Sequence, residues 1–298
     1  MTLVGATAWR QGRLDGRRGP RQLLFGRMYE DAAIESAAFV AGGRIFCIAS
    51  AGCSAFALAP RHPVVAADLN PVQIDYVRRR ISGASPCRGA AERCMAFGRS
   101  LVPLLGWSTA RLRPFLDLED PVGQISYWRR HLDTRRFRTA FDGLLSLAAL
   151  RFHYAPQLLR VLPRGFGRVL RGRMERCFAR HPNRANPHAR ALLLGEMAAA
   201  PVPPQAREIR LVCSDAADHL ETETAGGFDG FALSNILDGA DEAYARRLYA
   251  AIKRAAAPGA VVVRRSFAEP RGSSASNRAP ADRGMLWGVV DVRPVEAL

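Results

Sequence analysis

Four short segments of small and polar residues each follow an apolar run that is typical of a buried strand. They are residues 50–54, the segment that opens at Asp68, residues 214–216 and residues 234–236. In an open α/β sheet the ligand binds at the carboxyl ends of the strands, where such segments would meet. The pattern therefore predicts one ligand site built from four turns that are far apart in the sequence.

Each turn offers a different kind of contact to a nucleoside-type ligand. Gly52 lets the backbone approach closely, so that the exposed N–H groups of its turn hold a carboxylate. A carboxylate in the place of Asp68 accepts hydrogen bonds from both ribose hydroxyls, and Asp215 is placed to accept one from an adenine amino group. The fourth turn, with Asn235, faces the reacting end. The predicted cofactor contacts in these turns are Ser50, Ala51, Gly52, Cys53, Asp68, Leu69, Asn70, Gln73, Ser214, Asp215, Ala216 and Ser234.

The same residues also have purely structural interpretations. Asp68 could cap the helix that starts at Pro71, and Gly52 could serve tight packing alone. The chain has no G-x-G-x-x-G segment and nothing that resembles a P-loop, which argues against a phosphate-bearing nucleotide and favours S-adenosylmethionine. Its six cysteines form no C-x-x-C pair, so no metal site is predicted, and Cys47 and Cys213 are expected to be buried in strands.

These turns need a sheet to bring them together, and the apolar pattern predicts one. Buried strands are expected at 44–49, 63–67, 208–213, 228–233 and 260–263, with a final edge strand at 284–292. Helices are expected at 25–39, at 55–59, from residue 71 and at 241–256, with a mainly helical insertion over about 85–205. Pro258 and Gly259 are expected to form the turn between the last of these helices and the strand at 260–263. Residues 1–20 are expected to form a loose arm, and 21–298 a Rossmann-like α/β domain.

Positive charge is concentrated in the middle of the chain. The net charge is +16, and residues 107–190 hold seventeen arginines against six acidic residues. Such a basic face suits an anionic membrane surface, an acidic substrate or nucleic acid, and its plain alternative is a solvated helical surface. No zinc-finger or RRM signature favours nucleic acid.

Neither a membrane span nor a secretory signal is predicted. No apolar run approaches the roughly 18 residues that cross a bilayer. Residues 1–10 lack the basic-then-apolar order of a secretory signal. A cytoplasmic protein is therefore expected, with peripheral membrane contact through residues 107–190.

Several segments resemble one enzyme family. They are residues 25–31 (FGRMYED), 48–55 (IASAGCSA) and 67–73 (ADLNPVQ), with looser matches at 183–188 and 228–236. Together they resemble the S-adenosylmethionine:diacylglycerol 3-amino-3-carboxypropyl transferases of betaine-lipid synthesis. The resemblance extends over most of residues 22–292.

The resemblance implies a class I S-adenosylmethionine-dependent sheet and an unusual reaction. The enzyme would transfer the 3-amino-3-carboxypropyl group to a hydroxyl or other nucleophile of a lipid or small-molecule acceptor, and methylthioadenosine would leave. The sequence departs from the family pattern at three positions. Tyr29 stands where the family usually has Trp, His188 where it tends to have Tyr, and Asn235 where it has an acidic residue. These positions lie where the acceptor is expected.

Two further groups of candidates come from the segments around residues 29 and 184. Tyr29 and Glu30, with Asp31, are predicted to close over the cofactor, because a carboxylate suits its ammonium and sulfonium charges. Arg184 is predicted to hold the cofactor carboxylate through paired hydrogen bonds. The alternatives are an amphipathic helix with a solvated acidic face and a surface arginine.

An alcohol acceptor also needs a proton acceptor within hydrogen-bond reach. The predicted catalytic residues are His188, Asn235 and Asp238, and Asp218 and His219 are further candidates for the proton acceptor. The alternative for His188 is a structural role.

Three functions remain open on the sequence. The first is a 3-amino-3-carboxypropyl transferase, and the second is a methyltransferase that uses the same cofactor site. The third is a non-catalytic protein that binds membranes or nucleic acid through its arginine-rich segment. The nucleoside by-product separates the first two, and the third predicts salt-sensitive binding without cofactor affinity.

Overall fold

A six-stranded, mostly parallel sheet lies at the centre of the protein, in the strand order β3-β2-β1-β4-β5-β6. The structure is a computed structural model that describes residues 7–15, 17–197, 202–270, 272 and 275–298. The strands are β1 Ile45–Ile48, β2 Val64–Asp68, β3 Arg210–Cys213, β4 Phe228–Ala232, β5 Ala256–Ser266 and β6 Val289–Pro294. Strands β1 to β5 run parallel, and β6 pairs with β5 in the antiparallel sense.

Thirteen α-helices are described, most of them between β2 and β3. Their bounds are α1 Ala33–Ala38, α2 Cys53–Leu58, α3 Pro71–Ile81, α4 Ala90–Leu101, α5 Thr109–Leu116, α6 Pro121–Tyr127, α7 Arg135–Leu144, α8 Leu147–Leu150, α9 Pro156–Leu159, α10 Phe166–Phe178, α11 Pro187–Leu194, α12 Ala216–Thr222 and α13 Glu242–Ala255. Short 3₁₀ helices lie at Ala8–Gln11, Val102–Leu105, Pro204–Glu208, Ala279–Ala281 and Val295–Ala297, and a π-helix lies at Trp128–Leu132. None of the described helices combines the length and the apolar composition that crossing a membrane requires.

The central strands form because their residues are apolar on both faces, as a sheet covered on both sides requires. Strand β1 is buried along its whole length. One face of the sheet packs against α2 and α3 through residues such as Phe56 and Val77. The other packs against α12 and α13 through Leu220 and Leu248. The result is a layered α/β structure, compatible with a Rossmann-like fold.

Strand β5 is longer than the sequence predicts. It begins at Ala256, so the turn predicted at Pro258 and Gly259 lies inside the strand. Gly259 adopts a left-handed conformation (φ 76°), and the register between β4 and β5 shifts between Phe228 and Gly230. The predicted turn is therefore an irregularity within a strand, and the pairing with β4 continues past it.

Two cysteines predicted to be buried lie at different depths in the sheet. Cys47, in the central strand β1, is buried as predicted. Cys213 is exposed, because β3 is the edge strand of the sheet that the described residues form. An apolar run alone does not distinguish a central strand from an edge strand.

The predicted helix at 25–39 is wrong over its first half, and the helix is confined to α1. Side chains from two later helices bind the backbone of the segment before it. Gln73 accepts hydrogen bonds from the N–H groups of Leu24 and Phe25, and Glu92 accepts one from Gly26. Because these contacts fix the backbone in a non-helical conformation, the local apolar spacing is overridden by long-range contacts.

Between α3 and β3 the described chain contains helices α4–α11 and no strand. Aromatic side chains form the core of this helical unit, and Trp107 stacks on Phe137 with ring centroids 4.0 Å apart. Arg173 on α10 joins the unit to the sheet region, because its guanidinium donates to the carbonyl oxygens of Phe267 and Leu286. The helical unit and the sheet therefore share a buried interface.

The segment predicted as a loose arm is packed against the domain where the structure describes it. Residues 1–6 and Gly16 lie outside the described residues. Thr7 and Leu14 are buried, and Thr7 pairs with Ala240 in an isolated bridge. This part of the chain thus reaches the region that follows β4.

Candidate functional site

A pocket of about 630 Å³, its open mouth included, lies at the carboxyl ends of the parallel strands. Strand β1 lies there between β2 and β4, so the strand order reverses at this point, which is where open α/β sheets bind ligands. The pocket is lined by Thr7, Trp9, Leu24, Phe25, Ile48, Ser50, Ala67, Asp68, Leu69, Asn70, Gln73, Ser214, Ala216, Ser234, Asn235, Ile236 and Tyr244. All four turns singled out in the sequence contribute to it.

The turn after β1 is held in a rarely used backbone conformation. Ser50 (φ 43°) and Gly52 (φ 85°) both lie in the left-handed region. A Cβ atom on Gly52 would lie 2.7 Å from the ring of Phe56, so this position has no room for a side chain. Ser50 lines the pocket, whereas Ala51, Gly52 and Cys53 are not among the lining residues. Packing thus accounts for Gly52, and Ser50 carries the contact of this turn with the pocket.

Asp68 connects the turns after β1 and β2. Its carboxylate accepts hydrogen bonds from the backbone N–H groups of Ser50 (3.1 Å) and Asn70 (2.8 Å). The cap of α3 is Asn70, whose side chain accepts from the N–H of Val72. A carboxylate has about four lone-pair sites, so that of Asp68 can accept further donors from the pocket. Burial raises the pKa of Asp68 to about 6.

Asp215 is predicted to contact adenine, but its carboxylate forms hydrogen bonds with other groups of the protein. It caps α12 by accepting from the N–H of Ala217 (2.8 Å), and it accepts a hydrogen bond from the hydroxyl of Tyr244 (2.9 Å). Its neighbours Ser214 and Ala216 line the pocket, and so does Tyr244. The carboxylate therefore holds the Tyr244 ring in the pocket wall.

The turn after β4 contributes Ser234 and Asn235 to the lining. Ser234 is in the left-handed region (φ 53°), and its hydroxyl donates to the carboxylate of Glu30. Burial raises the pKa of Glu30 to about 7, although Arg265 opposes the shift. The side-chain amide of Asn235 donates to Asp238 (3.4 Å). A carboxyl group that can exchange a proton near neutral pH therefore lies directly behind a pocket hydroxyl.

A buried charge cluster centred on Arg265, at the carboxyl end of β5, lies next to this turn. The Arg265 guanidinium donates to Glu35, to Asp282 (3.0 Å) and to the backbone carbonyl of Asp31 (3.2 Å), and it lies 3.6 Å from Glu30. Glu30 and Asp31 are therefore buried, and the alternative of a solvated acidic helix face is wrong. The cluster fixes the segment before α1 against the ends of β4 and β5.

Half of the predicted site residues do not line the pocket. They are Tyr29, Glu30, Ala51, Gly52, Cys53, Arg184, His188, Asp215 and Asp238. Arg184 is exposed and pairs with Glu119 at the surface (2.9 Å). Tyr29 is buried, with its backbone carbonyl bound by the Trp287 indole (2.9 Å). Neither Tyr29 nor Arg184 therefore lies where its side chain could contact a ligand in this pocket.

The candidate proton acceptors are also dispersed. His188 is buried near the start of α11, and its Nδ1 has no hydrogen-bond partner among the described residues. Burial lowers the pKa of His188 to about 4, so the ring is neutral at neutral pH. Asp218 pairs with Arg247 (2.7 Å), and the His219 ring stacks on Phe46 with centroids 6.0 Å apart. None of these groups is part of the pocket lining.

The sequence patterns missed one wall of the pocket, which comes from the N-terminal part of the chain. Thr7, Trp9, Leu24 and Phe25 form it. Gln73 places this wall, because its side-chain oxygen accepts from the N–H of Leu24 across 49 residues of sequence. The only hint of this wall in the sequence is Gln73. Its side-chain amide needs hydrogen-bond partners, and these lie in the N-terminal part of the chain.

Comparisons of the chain with protein-family models, with curated proteins and with solved structures gave no match. A functional conclusion therefore depends on the chemistry of the pocket and on the resemblance of the short segments that surround it.

Proposed function

We propose that this protein is a class I S-adenosylmethionine-dependent transferase that moves the 3-amino-3-carboxypropyl group to a nucleophile of a lipid or small-molecule acceptor. Methylthioadenosine would be the second product. The observation that carries the proposal is the convergence of four strand-end turns on one pocket, with Asp68 between the first two. Such a site at the switch point of a parallel sheet suits a nucleoside. The resemblance of residues 48–55 and 67–73 supports the choice of donor.

The lining residues fit a nucleoside without a pyrophosphate. The Asp68 carboxylate would accept hydrogen bonds from the ribose hydroxyls, since its two backbone bonds leave acceptor capacity. Ile48, Leu69, Ile236 and the ring of Tyr244 supply apolar surface for a purine base. Small-molecule sites typically combine a mostly apolar lining with a few placed polar groups, and this pocket has both.

The protein's own part in the reaction is to orient the two substrates and to take up a proton. When bound, S-adenosylmethionine supplies a sulfonium whose three attached carbons are all electrophilic, so positioning decides which one is attacked. An acceptor hydroxyl beside Ser234 could pass its proton to that side chain, whose own proton would move to Glu30. With a pKa of about 7, Glu30 can accept this proton near neutral pH. Asn235, next to Ser234 in the lining, would orient the acceptor.

The test is to identify the nucleoside released on turnover. Protein and S-adenosylmethionine are incubated with a panel of acceptors that contains diacylglycerol and small alcohols, and the nucleosides are separated by chromatography. We expect methylthioadenosine, because the resemblance implies that the γ-carbon of the donor's methionine chain, and not its methyl group, faces the acceptor side near Asn235. Spontaneous breakdown of the donor also yields methylthioadenosine, so the signal must depend on the acceptor and be absent in Asp68→Ala.

The other outcomes separate the alternatives. S-adenosylhomocysteine as the main product would favour the methyltransferase, which the same pocket could serve. Absence of S-adenosylmethionine binding in calorimetry would contradict both enzymes and favour a non-catalytic binding protein.

A further inference from the structure

Large apolar side chains are exposed along one face of the helical unit. On α4 and the turn that follows it, Phe97 is 60% exposed, Leu104 is 73% exposed, and Leu101 is exposed between them. Their spacing of four and three residues places them on one side of a helix. At the end of α7 and around α8, Leu144 and Leu147 are exposed, and Phe152 is 59% exposed.

These two groups are neighbours in space. A Cβ atom on Gly98 would lie 3.8 Å from the side chain of Leu144, which places α4 beside the end of α7. Tyr154 packs in the same apolar cluster as Met95 of α4, which places the segment with Phe152 beside α4 as well. The six side chains Phe97, Leu101, Leu104, Leu144, Leu147 and Phe152 are called the apolar face below.

The chain around the apolar face is almost free of negative charge. Residues 93–116 contain four arginines and no acidic residue, and residues 135–153 contain four arginines and one aspartate, Asp142. Asp142 is neutralised by Arg171, which binds it through two nitrogens (2.8 and 3.2 Å). The guanidinium of Arg151 lies 5.2 Å from the centre of the Phe152 ring, so a cation stands directly beside an exposed aromatic side chain.

The apolar face is also continuous with the wall of the pocket. Met95 and Tyr154, which adjoin it in sequence, pack in one cluster with Trp9 and Phe25. Trp9 and Phe25 in turn line the pocket, with ring centroids 6.1 Å apart. A surface bound to the apolar face would therefore lie beside the apolar cluster that also contributes to the pocket wall.

We propose that the apolar face is a docking surface for an anionic lipid bilayer, with Phe97 and Phe152 inserted at the level of the headgroups. Exposed apolar patches on a protein surface mark sites of interaction. A face that combines aromatic and leucine side chains with arginines, and lacks acidic ones, has the chemistry of an interfacial membrane contact. The aromatic side chains would supply apolar burial, and Arg93 and Arg151 would meet lipid phosphates. A second copy of this chain fits less well, because two such positive faces would repel each other.

The experiment is vesicle flotation with the full chain and no S-adenosylmethionine. Vesicles of phosphatidylcholine alone are compared with vesicles that also contain phosphatidylglycerol. We expect binding to the anionic vesicles and much weaker binding to the neutral ones. Binding should weaken as salt rises, because the screening length falls from about 10 Å at 0.1 M to about 3 Å at 1 M.

The test variant is Phe97→Asp with Phe152→Asp, and the matched control is Val40→Asp with Val122→Asp. All four side chains are exposed, and Val40 (75%) and Val122 (78%) lie outside the apolar face, so none of these changes disturbs the core. We expect the face variant to bind anionic vesicles at least about tenfold more weakly, since each phenylalanine loses its apolar burial. The control adds the same two negative charges outside the apolar face. Its affinity for anionic vesicles should fall much less than that of the face variant.

Several outcomes would overturn the inference. They are equal binding to neutral and anionic vesicles, equal losses in the face variant and the control, and no vesicle binding at low salt. A dimer in light scattering that the face variant converts to a monomer would assign the face to self-association instead. Because the assay involves no turnover, its failure leaves the proposed transferase activity standing, and a failed nucleoside assay leaves the docking surface standing.

Discussion

The half-buried carboxylate of Asp68 has a pKa that desolvation raises to about 6, and this should make ligand binding pH-dependent. If the pocket binds a nucleoside as proposed, ribose hydroxyls that donate to Asp68 would favour its charged form, and binding would lower the pKa from its value in the free protein. The affinity for the ligand should therefore be constant above pH 6. Below pH 6 it should fall about tenfold per pH unit, until the pH reaches the pKa of Asp68 in the complex. The measurement is calorimetry with methylthioadenosine, which keeps the ribose but lacks the titratable amino acid end of the donor.

Two variants identify the group responsible for this pH step. Asp68→Asn should bind weakly and without the step, because the amide carries no charge to lose. Glu30→Gln should keep the step, even though Glu30 also titrates near neutral pH, because Glu30 lies behind Ser234 and not in the lining. A step that persists in Asp68→Asn would contradict the role given to Asp68.

At the scale of single elements, α3 joins the N-terminal wall of the pocket to the turn after β1. Gln73 accepts from the N–H groups of Leu24 (2.6 Å) and Phe25 (3.1 Å) and donates to the carbonyl oxygen of Ser50 (2.7 Å). Gln73→Leu should lower the free energy of unfolding by about 2–4 kcal/mol, since each buried group left unpaired costs roughly 1–3 kcal/mol. Urea unfolding measures this, and Arg79→Gln, on the exposed side of α3, is the control.

The same substitution should also weaken S-adenosylmethionine binding, because Leu24 and Phe25 line the pocket. Lowered stability with unchanged affinity would show that this wall is not part of the binding site. A Gln73→Leu protein as stable as Arg79→Gln would mean that the hydrogen bonds have little effect on stability.

Elements differ in how well the sequence predicts them. Strands β1, β2 and β4 are predicted correctly because a short apolar run is a local feature of the sequence. The lining residues Ser50 and Asp68 are predicted for the same reason, since they directly follow or end such runs. The burial of Glu30 does not follow in this way. It depends on Ser234 and Arg265, more than 200 residues later in the chain, and no periodicity in residues 25–39 indicates those partners. The pocket wall that contains Trp9 was missed for the same reason.

At the scale of the whole molecule, Arg173 holds the helical unit and the sheet together. Its guanidinium is buried and donates to the carbonyl oxygens of Phe267 and Leu286 and to the carboxylate of Glu269. Because the two parts share this interface and an apolar core, we expect a single unfolding transition, coincident by near- and far-ultraviolet circular dichroism. Arg173→Met should lower the free energy of unfolding by about 2–4 kcal/mol, since hydrogen bonds to charged groups contribute roughly 1.5–3 kcal/mol each.

The control for this prediction lies on the same helix. Arg176 is exposed, and Arg176→Met should unfold like the unaltered protein. Two separate transitions in the unaltered protein would show that the helical unit folds independently of the sheet, and Arg173 would then be a contact between two autonomous units.

The position of Trp9 gives the molecule a built-in optical reporter. The chain has four tryptophans, and Trp107, Trp128 and Trp287 are buried away from the pocket, whereas Trp9 lines it. A ligand that enters the pocket changes the surroundings of one indole and leaves the other three as a constant background. Emission at tryptophan wavelengths can therefore follow occupancy directly, without a label, and Trp9→Phe would make the same event invisible while the ligand still binds.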